Sequence, residues 1–290
     1  MNANEFLPIE VENILNEYIF GNLNDVFAKY QDEPIRERVL DLLDTLCIVV
    51  YYPLKNEGNN GFHVTNMPFA NGEKHNFVYI NTAQTLERQV FTAAHELGHI
   101  LEVDDHVLKK ISKGTLEDND DIREAIINRF AASLLMPSKI FKDAWNEEYI
   151  KYKDDDGNVT IINLLRIIVV LMDRFFAPIK AIIFRLVELE IVAPKVKDLL
   201  LGDEIVPQEV LRSYVQKLIS DYGFIQFQNP TNKKWIEGFA ERLDEAEQKG
   251  VVLESKINKI RNLFEFKNSK ITFEMNSDVQ IKSQEGKGTQ

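Results

Sequence analysis

The chain has 290 residues, 44% of them hydrophobic and 28% charged, with a net charge of −12. That length supports one large domain or two modest ones with real cores, and the balance is that of a soluble globular protein. The negative charge argues against nucleic-acid binding through bulk electrostatics, which needs a basic face. The single cysteine, Cys47 in the run LCIVVYY, excludes a disulfide framework within the chain and reads as a small core residue.

The N-terminus, MNANEFLPIEVENIL, lacks the basic segment and apolar core of a secretory signal. Ile9, Leu15 and Ile19, with Ile14 beside them, predict a first helix ended by Gly21. Pro34 suits a first helical position, and IRERVLDLLDTL continues as an amphipathic helix. LCIVVYYP, rich in β-branched and aromatic residues and closed by Pro53, reads as a buried strand. KNEGNNG reads as a turn. GFHVTNM and HNFVYIN read as two more strands around the loop PFANGEK, so a small antiparallel sheet precedes the next helix.

From Thr85 to Val103 the pattern is helical, with an apolar stripe of Phe91, Ala94, Leu97 and Leu101. Asn119, Asp120 and Asp121 in the following loop are good helix caps. IREAIINRFAASLLMP is a second strong helix, ended by Pro137, with Ile126, Phe130 and Leu134 on its core face. KDDDGNV, residues 153 to 159, reads as a domain boundary. LMDRFFAPIKAIIFRLVELEIV splits into two apolar segments around Ala177 and Pro178. Further helices are predicted over 207–221 and 233–265. The most apolar run, VTIINLLRIIVVLMDRFF, is interrupted by Arg166 and stopped by Asp173 and Arg174, too short to span a bilayer comfortably. The expectation is a cytoplasmic protein with no membrane contact.

Residues 95 to 99 read HELGH. Positions i and i+4 of a helix lie one above the other, so His95 and His99 can grip one metal ion from a single face. Glu96 points to the side, where it can reach a water at an open metal position without being a ligand. A catalytic zinc needs a third protein ligand. Glu102 and His106 share the face if the helix continues, but Glu102 lies about 7 Å past the metal along the axis, and neither reaches unless the chain bends back. Glu124, 25 residues past His99 and on the next helix, is the better candidate. On spacing alone it reads equally as a solvated carboxylate in a helix first turn, where the macrodipole favours it. Asn128, one turn on, would face the same site and could accept a hydrogen bond that orients a ligand histidine. His63 and His75 read as structural or exposed residues, and His106 as a reserve ligand or substrate contact.

HELGH followed by ExxxNxFAAxLLMP resembles the ImmA/IrrE family of metallopeptidases, through Glu124, Asn128, Phe130, Ala131, Ala132, Leu134, Leu135, Met136 and Pro137. Arg88, Gln89, Phe91 and Thr92 upstream match as well. RFFAPIKAIIFRLVELEIV is similar to the family's helix-turn-helix-like segment, with Arg185 and Leu186 matching an arginine–leucine pair. The resemblance covers roughly residues 40 to 195 and leaves 203 to 290 unmatched. It implies one Zn2+ per chain on His95, His99 and Glu124, with Glu96 catalytic. It implies a single cut in a helix-turn-helix repressor that releases a phage, mobile-element or stress regulon. The expected fold class is α+β: a small antiparallel sheet with a zincin-like helix pair, then the helix-turn-helix-like segment and a mostly helical C-terminal region. The expected segments are a zinc metallopeptidase domain over 1–155, the helix-turn-helix-like part over 156–202 packed on it, a helical extension over 203–275, and a disordered tail over 276–290.

In such an enzyme Glu96 takes a proton from the attacking water and passes it to the leaving amine. Tyr149, Tyr79 and His106 are candidate donors to the oxyanion. Two other classes compete. A non-catalytic, metal-stabilised module could sequester a repressor or toxin, but a binder has no need of Glu96. A DNA-binding regulator could use the helix-turn-helix-like piece, but its basic residues Arg174, Lys180 and Arg185 are thinly spread.

Overall fold

The computed structural model describes residues 7–23, 33–55, 60–69, 72–202 and 207–265. The expected tail over 276–290 and most of the turn KNEGNNG lie outside them. The chain divides into two units, Met1–Glu237 and Gly238–Gln290. The expected boundaries at 155 and 202 both fall inside the first.

Helix α1 spans Ile9–Asn22 and runs through Gly21 rather than ending there. Its buried stripe is Val11, Leu15 and Ile19, while Ile9 stays 66% exposed. Helix α2, Arg38–Leu46, begins four residues beyond Pro34, because Arg36 takes a left-handed turn with φ of 54° that a helix cannot include. Strands β1 (Ile48–Tyr52), β2 (Gly61–Pro68) and β3 (Lys74–Asn81) follow, as the β-branched and aromatic runs predict. The sheet is α+β in its setting and mixed in its pairing. Its order is β2-β3-β1-β4, where β4 is the two-residue strand Trp235–Ile236. The antiparallel expectation holds for β2–β3, while the central pair β1–β3 is parallel; β4, absent from the expected strands, adds to β1 antiparallel. The reason is local: β2 and β3 close as a hairpin, so β3 returns in the direction of β1. Residues 233–265, expected as helix throughout, begin with β4.

Helix α3, Leu86–Ile100, carries HELGH and buries Val90, Ala93, Ala94 and Leu97. At Glu102 the backbone turns left-handed, with φ of 51°, and a separate helix α4, Val103–Lys110, sets off. Helix α5, Asp120–Leu135, starts on the expected cap: the Asn119 side-chain oxygen accepts from the Ile122 N–H at 2.9 Å. Ile126, Phe130 and Leu134 are fully buried. α3 packs against α5, and Gly98 permits the approach: a Cβ there would sit 2.9 Å from Phe130 Cδ1 and 3.2 Å from Ile127 Cδ1. Alanine is the better helix former by about 1 kcal/mol. Overpacking nevertheless outweighs that gain, and Gly98→Ala is expected to lose about 1–3 kcal/mol in a denaturant titration.

Helices α6 (Ser138–Tyr152), α7 (Ile161–Phe175), α8 (Ile179–Glu188), α9 (Pro194–Leu201) and α10 (Gln208–Asp221) complete the first unit. The expected break at Ala177 and Pro178 separates α7 from α8. Arg185, on α8, is completely buried. All five of its N–H donors are used: Nε on the Met136 carbonyl at 3.1 Å, Nη1 on Glu12 at 3.0 Å and Glu188 at 3.2 Å, Nη2 on Glu12 at 2.7 Å and Ser138 at 3.1 Å. Ser133 and Ser138 donate to the same Glu12 carboxylate at 3.0 and 2.9 Å. Arg129 Nε lies 2.8 Å from Glu188 as an ion pair, without hydrogen-bond alignment. Burial pushes the Glu12 carboxyl up, but the hydrogen bonds and charge of Arg185 and the two serines outweigh it and bring it down to about 2. The cluster ties α1, α5, α6 and α8 together.

In the second unit, α11 (Phe239–Gln248) and α12 (Glu254–Phe264) bury Leu243 and Ile257, and Arg261 pairs with Asp244 and Glu247. Among the described residues, no helix is long and apolar enough to cross a membrane.

Candidate metal centre

α3 presents His95 and His99 one turn apart, and α5 brings Glu124 to them. His95 Nε2 lies 3.3 Å from Glu124 Oε2, His99 Nε2 lies 3.3 Å from Glu124 Oε1, and the two Nε2 atoms are 3.2 Å apart. Glu124 is 53% exposed, yet both its oxygens face the histidines rather than open water. The start of α5 is pinned by Arg123, which pairs with Asp104 on α4, with Asp105 at 2.7 Å, and with Asp118 at 2.7 Å. On the far side of the ring, His95 Nδ1 lies 3.1 Å from Asn128 Oδ1. An amide oxygen only accepts, so Nδ1 carries a proton and Nε2 is the nitrogen turned toward Glu124 and His99.

Burial opposes a charge on His95, but the Glu124 hydrogen bond, the Glu96 and Glu124 charges and Asn128 outweigh it and raise its pKa. Burial, reinforced by the neighbouring His95, holds His99 down at about 4. The hydrogen bond with His95 is the main reason that Glu124 is lowered. A metal ion bound between them would take the place of the His95–Glu124 hydrogen bond. Two imidazoles and a carboxylate, with ligand atoms within 4.8 Å of one another, are a donor set that suits a divalent metal ion such as zinc. The residues fit the ion.

Glu96 is 5% exposed and turns aside from the ligand face. Its Oε2 meets His63 Nδ1 at 2.8 Å, and the His63 ring stacks on His99 with centroids 4.5 Å apart. His63, read from the sequence as structural or exposed, stands inside the site. No spacing rule reaches from residue 63 to residue 96; only the docking of β2 on α3 brings them together. Gly61 allows that docking, since a Cβ there would lie 2.5 Å from Thr92 Cγ2 and 2.8 Å from the Tyr79 carbonyl.

His106 is not among the converging groups. Its ring packs on Tyr18 at 4.6 Å, and its Nε2 is buried with no partner among the described residues. Tyr149 donates to the Gly157 carbonyl at 2.6 Å, and Tyr79 to the Tyr52 carbonyl at 2.8 Å, so both hydroxyls are committed elsewhere. His75 meets Glu73 at 3.4 Å on the surface.

Residues 46–187 match the model of the IrrE N-terminal-like domain, a peptidase family. That segment, 46–187, is thus similar to the ImmA/IrrE peptidases. A curated relative is the radiation response metalloprotease IrrE of Deinococcus radiodurans, 39% identical over 72 residues, which are 24% of this chain and 22% of that protein. The chain thus spans about a fifth of that relative's length. A solved Mycobacterium tuberculosis transcriptional regulator aligns over 63% of this chain and 48% of its own, at 12% identity and a TM-score of 0.38, too low to establish a common fold. The likeness to this peptidase family and to a metalloprotease supports a metallopeptidase and a metal at the site.

Proposed function

We propose that the chain is a zinc-dependent endopeptidase that cuts a protein substrate, with His95, His99 and Glu124 as ligands, Glu96 as general base and Asn128 orienting His95. The observation that carries this is the convergence of Glu124 on both histidines, across 25 residues, beside a buried Glu96. A zinc ion on His95, His99 and Glu124 would supply a bound water of lowered pKa and Lewis acidity toward the scissile carbonyl. Glu96 accepts the proton of the attacking water and returns it to the leaving nitrogen. Asn128 fixes the His95 ring so that Nε2 stays free of its proton.

The substrate class we propose is a helix-turn-helix repressor, on the strength of the family resemblance. Direct DNA binding is not part of the proposal: Arg185, one of the three basic residues of the helix-turn-helix-like piece, is wholly buried on Glu12. Metal content per chain, on wild type and Glu124→Ala side by side, tests the reading. Wild type is expected to hold about one zinc and Glu124→Ala to lose it on dialysis. Equal content in both would remove Glu124 from the ligand set. Incubation with small helix-turn-helix repressors, with cleavage read as two fragments on a gel, tests the substrate.

A further inference from the structure

The contact between His63 and Glu96 has no part in the ligand set, yet it reaches the group on which the chemistry turns. His63 lies on β2, at the edge of the sheet, opposite Val78 of β3. Its ring is 31% exposed, and it is held from two sides: by the stack on His99, with an interplanar angle of 27°, and by the 2.8 Å contact to Glu96. An ionised carboxylate has no proton to donate, so His63 Nδ1 must donate its own. That requirement selects the tautomer with the proton on Nδ1. Gly61, two residues earlier on the same strand face, removes the Cβ that would push β2 off α3 at Thr92 and Glu96.

We infer that His63 is a positioning residue for the reaction, its Nδ1–H holding the Glu96 carboxylate in place from the edge strand. The inference rests on the peptidase reading for its consequence, but the contact itself can be measured without any turnover. A free glutamate on a helix samples several rotamers, and a base displaced by about 1 Å loses much of its efficiency. The stack on His99 makes the ligand helix the reference against which Glu96 is aligned.

Two measurements test it on the zinc-loaded full chain. The first uses 15N-histidine labelling and two-bond proton–nitrogen correlations, which report the tautomer of each ring. His63 is expected with Nδ1 protonated, and Glu96→Ala is expected to release it to the Nε2–H form that free imidazole prefers. An unprotonated Nδ1 in wild type, or a spectrum unchanged by Glu96→Ala, overturns the inference whether or not the protein cleaves anything. The second compares His63→Asn, His63→Gln and His63→Ala on the substrate that wild type cuts. Asparagine places an N–H near the Nδ1 position; glutamine reaches past it. Alanine and glutamine are expected to lower kcat about 10- to 100-fold with KM little changed and zinc content intact, and asparagine to recover most of the loss. Asparagine no better than alanine would reduce His63 to packing. A second zinc per chain that disappears with His63→Ala would make His63, Glu96 and His99 a metal site of their own and overturn the positioning role. A protein that shows the tautomer but cleaves nothing would fail as a peptidase while the contact stands.

Discussion

Glu96→Gln is expected to keep its zinc and to lose cleavage by about 100- to 10,000-fold in kcat. Glutamine has nearly the shape of glutamate, and its side-chain oxygen still accepts from His63 Nδ1, so neither the packing of the buried side chain nor the stack on His99 is disturbed. What disappears is basicity, since an amide cannot take the proton of the attacking water at neutral pH. None of the proposed ligand atoms belongs to residue 96, so metal content measured on the same preparation separates loss of chemistry from loss of the site. Cleavage that survives at a tenth of the wild-type rate or better would move the base to another residue.

The second large effect concerns stability. Arg185→Ala is expected to destabilise the first unit by about 3–5 kcal/mol, because it leaves the Glu12 carboxylate buried with its main counter-charge gone. For a domain of this size that corresponds to a fall of about 6–20 °C in Tm. Removing both partners at once, as Glu12→Leu with Arg185→Met, is expected to cost less than the single change, since no unpaired charge remains. The same cluster predicts acid lability. Glu12 has a folded pKa of about 2 against an ordinary 4.5, so its contribution is complete above about pH 4.5 and is lost as pH falls toward 2. A thermal melt series from pH 6 down to pH 2.5 reads this directly; Glu12→Gln, already destabilised at pH 6, is expected to show a shallower decline.

What could be read from the sequence was what is local in the chain. The HELGH helix, the Asn119 cap, the stop before Pro137 and the break at Pro178 depend on neighbours within a few residues, and periodicity and capping rules see that far. Glu124 needed more, since its spacing alone fits a solvated first-turn carboxylate as well, and only the family pattern tipped the choice. The β1–β3 pairing was missed because nothing within either strand states its neighbour. β4 was missed because Trp235 and Ile236 are too short a run to show alternation. His63 and Glu12 were missed for one reason: a lone histidine in a strand and a glutamate on a helix look like surface residues until tertiary contacts 33 and 173 positions away give them partners.

The link between Glu12 and Arg185 also bears on the order in which the molecule is made. Glu12 is made first of the pair, and its counter-charge arrives 173 residues later. At about 5–20 residues per second that delay is on the order of ten to thirty seconds. Until α8 emerges, α1 cannot bury its inner face without stranding a carboxylate, and α5, which carries Glu124, lacks part of its support. A nascent chain ending at residue 155 holds every proposed metal ligand but not the residue that lets the frame close around them. A site that depends on this frame therefore cannot be complete until residue 185 has been made.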